Sequence, residues 1–186
     1  EAAALGAAVT VVAASVALPR SPRITYVDVV TAAELQVACA EAFAACDVLV
    51  MSAAVADFRP ADPAAGKLKK QGREGMSIDL EPTTDVLSGL AARRRPGQTL
   101  VGFAAEHGAG ALDYGRDKLA RKGLDAIVVN DVGAPGVGFD SLDNEVTILT
   151  AAGERHVPRA TKAEVARAGL RLKCGRRRRG RRDGPQ

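Results

Sequence analysis

Short β-branched runs alternate with alanine-rich stretches of helical length along this chain, and that alternation constrains the fold more than any other feature. The runs are Val9-Thr10-Val11-Val12-Ala13, Ile24-Thr25-Tyr26-Val27-Asp28-Val29, Asp47-Val48-Leu49-Val50-Met51-Ser52, Thr99-Leu100-Val101-Gly102-Phe103-Ala104 and Asp125-Ala126-Ile127-Val128-Val129-Asn130. Between them Thr31, with Glu34 three residues on, predicts a capped helix over 32–45. Thr84-Asp85 caps a helix to about Arg95, and a third helix is expected over 111–122. Strands separated by helices need crossover connections, so the expected architecture is α/β, a Rossmann-like, doubly wound, mainly parallel sheet. A hairpin turning at Ala152-Gly153 and a helix from Lys162 to Leu170 complete it.

One segment breaks the pattern. Pro60, Pro63, Gly66, Gly72 and Gly75 punctuate residues 60–81, which carry Lys67, Lys69, Lys70 and Arg73. Leu68 and the alternating Met76-Ser77-Ile78-Asp79-Leu80 predict a hairpin arm there.

Composition narrows the function classes. The chain is 47% hydrophobic but only 3% aromatic, without tryptophan, so its core is aliphatic and stacking platforms for bases are scarce. Its net charge of +4 is misleading as a whole-chain figure. Residues 171–186 hold eight Lys or Arg against one Asp, a net +7, which leaves −3 for the other 170 residues. That body argues against a phosphate-backbone groove, and so against nucleic acid as a partner. The expected division is a folded domain over 1–170 and a basic disordered tail over 171–186.

Cys39, Cys46 and Cys174 are odd in number and match no metal or redox spacing, which suits inert thiols in a reducing cytoplasm. No clean run of membrane-spanning length exists. The opening Glu1 to Thr10 is apolar without the basic start or cleavage region of a signal peptide, and reads as a chain entering inside a helix.

In a parallel sheet, ligands bind beyond the carboxyl ends of the strands. Ser52 to Phe58, Phe103 to Glu106 and Asn130 to Val132 therefore share one rim. Ala53-Ala54-Val55-Ala56 lets a ligand approach the backbone, and Asp57 accepts from an amino or hydroxyl donor. Lys118 and Lys122, four apart on one helix, emerge from the same face and suit a polyphosphate, though such a pair is commonly a solvated face. Thr84-Asp85 either offers helix N–H groups to a phosphate or caps the helix. In an extended arm Lys67 and Lys69 point one way and Leu68 the other.

The blocks Ala53-Ala54-Val55-Ala56-Asp57-Phe58, Lys67-Leu68-Lys69-Lys70, Asp85-Val86-Leu87, Gly102-Phe103-Ala104-Ala105-Glu106, Lys118-Leu119-Ala120-Arg121-Lys122 and Val129-Asn130-Asp131-Val132 follow one another in an order that resembles the bacterial phosphopantothenate-cysteine ligase family. The resemblance covers about residues 5 to 167. It implies a homodimeric, Rossmann-like enzyme of coenzyme A biosynthesis that uses CTP and Mg²⁺ to join 4′-phosphopantothenate to L-cysteine through an acyl-cytidylate. It implies that Met51, Ser52, Ala53 and Asp57 line the cytidine site, with Phe103 closing against it. Thr84, Asp85, Val86 and Leu87 would lie along the nucleotide, Lys118 and Lys122 would hold the triphosphate, and Ala53 and Ala54 would touch the phosphopantothenate intermediate. Lys67 would be the catalytic lysine and would also contact the CTP, on an arm belonging to the dimer contact.

Measured against that family the chain is expected to be N-terminally truncated, lacking a first strand, a Gly-rich turn and a phosphopantothenate-binding loop. It also carries Thr83-Thr84 where the family commonly has Asn-Pro or Asn-Asp. A flavin-dependent decarboxylase half is often fused upstream in the family. The resemblance assigns no metal ligands and no role to His107 or His156. The alternative expectation is a catalytically incomplete nucleotide-binding or dimerisation remnant.

Overall fold

The computed structural model describes residues 1–70, 72, 74–106, 108, 110–131 and 141–171. Thr31 opens the first helix as its spacing to Glu34 predicts. Its hydroxyl accepts from the Glu34 N–H at 3.2 Å, and the Glu34 carboxylate accepts from the Thr31 N–H at 3.0 Å, a closed capping box. The helix, α1, runs over Ala32–Phe43. Its buried face is Leu35, Cys39 and Phe43, spaced at four.

Two strands precede it, β1 (Val9–Ala14) and β2 (Ile24–Val29), paired in parallel. After it come β3 (Val48–Met51) and the short pair β4 (Phe58–Pro60) and β5 (Leu80–Pro82), then helix α2 (Val86–Ala92) and strand β6 (Thr99–Glu106). Helix α3 (Ala111–Arg121) leads to β7 (Ala126–Asp131), and β8 (Asp143–Thr150), β9 (Gly153–Thr161) and α4 (Lys162–Leu170) end the described fold. The main sheet has the order β3-β6-β7-β8-β9, with β3, β6 and β7 mutually parallel and β8 and β9 antiparallel. The α/β, mainly parallel architecture is as expected.

Four details differ from the sequence expectation. The opening is a single 3-10 turn over Ala3–Leu5, closed by Gly6 at φ 90°, rather than the body of a helix. Helix α2 stops at Ala92, short of Arg95. The arm is paired only at its base, where β4 meets β5 antiparallel; no described residue from 61 to 79 lies in a strand. The β1–β2 pair is also a sheet of its own, not hydrogen-bonded to β3.

The sheet nonetheless shares one core with that pair. Val29 of β2 and Leu35, Cys39 and Phe43 of α1 cluster with Leu87 and Leu90 of α2 and with Leu100 and Ile127 of the main sheet. On the opposite face Val128, Val146, Ile148 and Val157 pack with Val165 of α4. Strand β7 alternates between these clusters residue by residue. Gln98 pins the loop before β6 to the end of α1, donating from Nε2 to the carbonyls of Phe43 and Cys46, each at 2.7 Å, while its Oε1 accepts from the Arg95 N–H at 2.8 Å.

Gly115 seats α3 on the sheet. A Cβ there would lie 2.6 Å from Val129 Cγ2 and 3.0 Å from Leu149 Cδ1, inside van der Waals contact. Gly115→Ala should therefore lift α3, and the overpacking should outweigh the gain in helix propensity by about 1–2 kcal/mol in urea or thermal unfolding. Unchanged or increased stability would contradict this seating.

Candidate functional site

The parallel register sets the floor of the site. Met51 of β3 is level with Gly102 of β6, so β3 ends there while β6 continues to Glu106. Glu106 is level with Asp131 of β7, so β6 and β7 end together, four residues beyond the end of β3. Beyond Ser52 the chain leaves the sheet. Val55 turns into the core, while Ala53, Ala54, Ala56 and Asp57 stay exposed. This stretch is stitched to the segment before α2: the Thr83 N–H donates to the Asp57 carbonyl at 2.8 Å, and the Thr83 hydroxyl donates to the Ala56 carbonyl.

Asp85 is the N-cap of α2. Its carboxylate accepts from the Ser88 N–H at 3.0 Å and from the Ser88 hydroxyl at 2.7 Å. Lys122, at the end of α3, reaches across to the same carboxylate at 2.9 Å. One turn back, Lys118 donates to the Phe103 carbonyl at 3.0 Å, and its ammonium stands 5.9 Å from the centroid of the Tyr114 ring. Asp85, Phe103, Lys118 and Lys122 thus meet in one groove between α2 and α3.

Two protonation equilibria are displaced there. Burial, reinforced by the neighbouring Lys122 ammonium, pulls the Lys118 pKa below the ordinary lysine value, against the opposing pull of Glu106 and Asp85. Burial acts to raise the Asp85 pKa, but the Ser88 N–H, the Lys122 ammonium and the Ser88 hydroxyl together outweigh it and leave the carboxyl below its usual range. The groove holds charged groups in a half-dry setting, where an anion gains more than it would in water.

Other expected residues are placed differently. Val86 and Leu87 bury their side chains in the core, so only their main chain can face a ligand. Met51 is half-buried against the same core. The Phe103 side chain packs on the opposite face of the sheet, with the α4 cluster, and gives the groove only its carbonyl. Thr84 is exposed, and Lys67 stands exposed on the arm without a hydrogen-bond or ion-pair partner among the described residues. Val132, Arg73, His107, Cys174 and the arginine run from 172 onwards lie outside the described residues. His156 faces Glu145 at 3.4 Å on the surface. Cys39 and Cys46 have thiol pKa values raised by burial, in Cys46 with help from Asp47, as inert thiols should.

The model of the DNA/pantothenate metabolism flavoprotein C-terminal domain family matches residues 1–172. The chain belongs to that family. It is 37% identical over 155 residues to the coenzyme A biosynthesis bifunctional protein CoaBC of Escherichia coli strain K12, covering 82% of this chain and 38% of that protein. It is 43% identical over 149 residues to a cysteine/cysteine sulfinic acid decarboxylase of an unknown prokaryotic organism, covering 80% of this chain and 41% of that protein. The chain thus spans about two fifths of the length of these curated relatives. Among solved structures, the C-terminal domain of CoaBC superposes with a TM-score of 0.73 at 33% identity, over 91% of this chain and 74% of that one.

Within this flavoprotein C-terminal domain, three residues at the site received no role from the sequence. Tyr114 carried a signal, because it sits four residues before Lys118 on one helix face. Glu106 was named only as a strand end, and Thr83 as a departure from the family pattern. Asn130 of β7, which the sequence placed on the rim, buries a carboxamide oxygen that has no hydrogen-bond partner among the described residues.

The Lys118 shift gives a pH signature. Its ammonium is fully present below its own pKa and is lost as pH rises through it, and that pKa lies below the usual lysine range. Binding of inorganic tripolyphosphate, followed by calorimetry from neutral to alkaline pH, should weaken before an ordinary lysine would titrate, and Lys118→Gln should remove that limb. Affinity that holds level until the ordinary lysine range would contradict it.

Proposed function

We propose that the groove between α2 and α3 takes the triphosphate of CTP and that the chain carries phosphopantothenate-cysteine ligase chemistry in coenzyme A biosynthesis. The observation that carries this reading is the pair of half-buried ammonium groups, Lys118 held at the Phe103 carbonyl of β6 and Lys122 at Asp85. The names of the CoaBC relatives point to the same pathway.

On this reading Ser52, Ala53, Asp57 and the adjoining main chain read the cytosine and ribose, with Ala53 and Ala54 also touching the phosphopantothenate part of the intermediate. The substrate carboxylate attacks the α-phosphorus of CTP, a P–O bond breaks and pyrophosphate leaves. The amine of L-cysteine then attacks the acyl carbon, forms the amide bond, loses a proton and expels CMP. Lys67 stabilises the charge that develops on the cytidylate. Mg²⁺ would travel with the nucleotide. Such an ion takes most of its oxygens from phosphate and water with one or two carboxylates, and Asp85 and Glu106 are the carboxylates flanking the lysines. Among the described residues no group of three or more His, Cys, Asp and Glu can hold a metal.

A homodimer belongs to this reading, with the arm that carries Lys67 at the contact. Phe58, Leu68, Met76, Ile78 and Leu80 of β4, β5 and the arm are each more than half exposed, an apolar surface suited to a second copy. A flavin-dependent decarboxylase domain in the full-length protein and a cytoplasmic setting belong to the same proposal. Among the described residues no helix is long and apolar enough to cross a membrane.

Calorimetry should show CTP binding in preference to ATP, and equal affinity, or none for either, would sink the nucleotide assignment. Lys67→Gln should cut pyrophosphate release in the presence of 4′-phosphopantothenate and CTP by about 10²–10³-fold while changing CTP affinity far less. The unpartnered arm lysine also supports a second reading, nucleotide binding without turnover. Specific CTP binding with no steady-state pyrophosphate from the unmodified chain would decide for it.

A further inference from the structure

We propose that Asp85 is an internal counter-anion on Lys122, which an incoming polyphosphate must displace, so that this one carboxylate sets how tightly the groove retains its ligand. The inference rests on the polyphosphate reading of the lysine pair.

The two lysines of the groove are held unlike one another. Lys118 donates to a neutral carbonyl, that of Phe103, and Glu106 acts on it only from beyond ion-pair distance. A phosphate arriving at Lys118 displaces no anion. Lys122 is different: its side chain is only 16% exposed, and its ammonium lies 2.9 Å from Asp85 Oδ2. A cation stripped of most of its water needs a partner, and Asp85 supplies it.

Asp85 is also the exchangeable side of that pair. It is 44% exposed, and its carboxylate is anchored independently by the Ser88 N–H and hydroxyl. Those bonds persist when Lys122 turns to another anion, so the carboxylate stays where it is. It remains negative beside the newcomer, and like charges in a half-dry groove repel. Anions therefore engage Lys118 freely and Lys122 only against Asp85. The same opposition acts on a polyphosphate product and favours its departure.

Asp85→Asn separates this role from helix capping, because Asn caps a helix about as well as Asp and keeps the side-chain shape while removing the charge. The measurement is calorimetric titration of the full chain with inorganic tripolyphosphate in metal-free buffer, with circular dichroism confirming that each variant is folded. The expected result is about three- to ten-fold tighter binding by D85N. That gain should disappear when Lys122→Gln is added. Equal or weaker binding by D85N, or a gain that survives Lys122→Gln, overturns the proposal while leaving the polyphosphate site intact. No tripolyphosphate or CTP binding by the unmodified chain overturns both readings.

Discussion

The missing side chain at Gly102 is the constraint on which the rest of the groove depends. The space a Cβ would fill is already entered from two sides, by Leu124 Cδ1 at 2.8 Å and Leu87 Cδ2 at 3.2 Å. Leu87 belongs to α2, and Leu124 closes the turn between α3 and β7, so both elements settle on β6 at this one position. Gly115 does the same for the body of α3 against β7 and β8. With both helices drawn down onto adjacent strands, residues distant in sequence meet: the cap of α2 and the end of α3 come within ion-pair distance. Any side chain at either glycine would widen the gap that Asp85 and Lys122 close.

That packing turns a pair of surface-type residues into a site. Lysines four apart on a free helix are well hydrated and bind anions weakly. Here the rear of the helix is buried, Tyr114 and the β6 backbone flank Lys118, and Asp85 caps one helix while neutralising a cation on another. The electrostatics thus follow from the core: aliphatic burial sets how far the ammonium groups are dried, and drying sets how much an anion gains by reaching them.

Much of the fold was legible because its signals are local. Thr31 with Glu34, the β-branched runs and the alternation of β7 each act within a few residues. Thr161 and Glu164 form a second closed capping box, and its spacing was equally readable. The arm was harder. Pro60 reads as a breaker, yet a two-stranded ladder tolerates Pro60 and Pro82 where no partner needs their N–H, so the pairing fell at the base of the arm rather than along Met76 to Leu80. The separation of β1 and β2 from β3 left no mark in periodicity either, since strand order is a long-range property.

The site was legible as residue types and not as geometry. Lys118 and Lys122 announced themselves by spacing, but their different partners lie far off in sequence. Phe103 was expected to close against the cytidine site, and strand alternation decides which part of it can do so, sending the ring to the α4 face and leaving the carbonyl. The central claim is that a nucleoside triphosphate sits in the groove between α2 and α3. Titrating isotopically labelled protein with CTP and following backbone amide and lysine side-chain resonances tests it most directly. The account predicts perturbations concentrated at Ser52 to Asp57, Thr84 to Ser88, Phe103, Lys118 and Lys122. Perturbations confined to β8, β9 and α4 would contradict it.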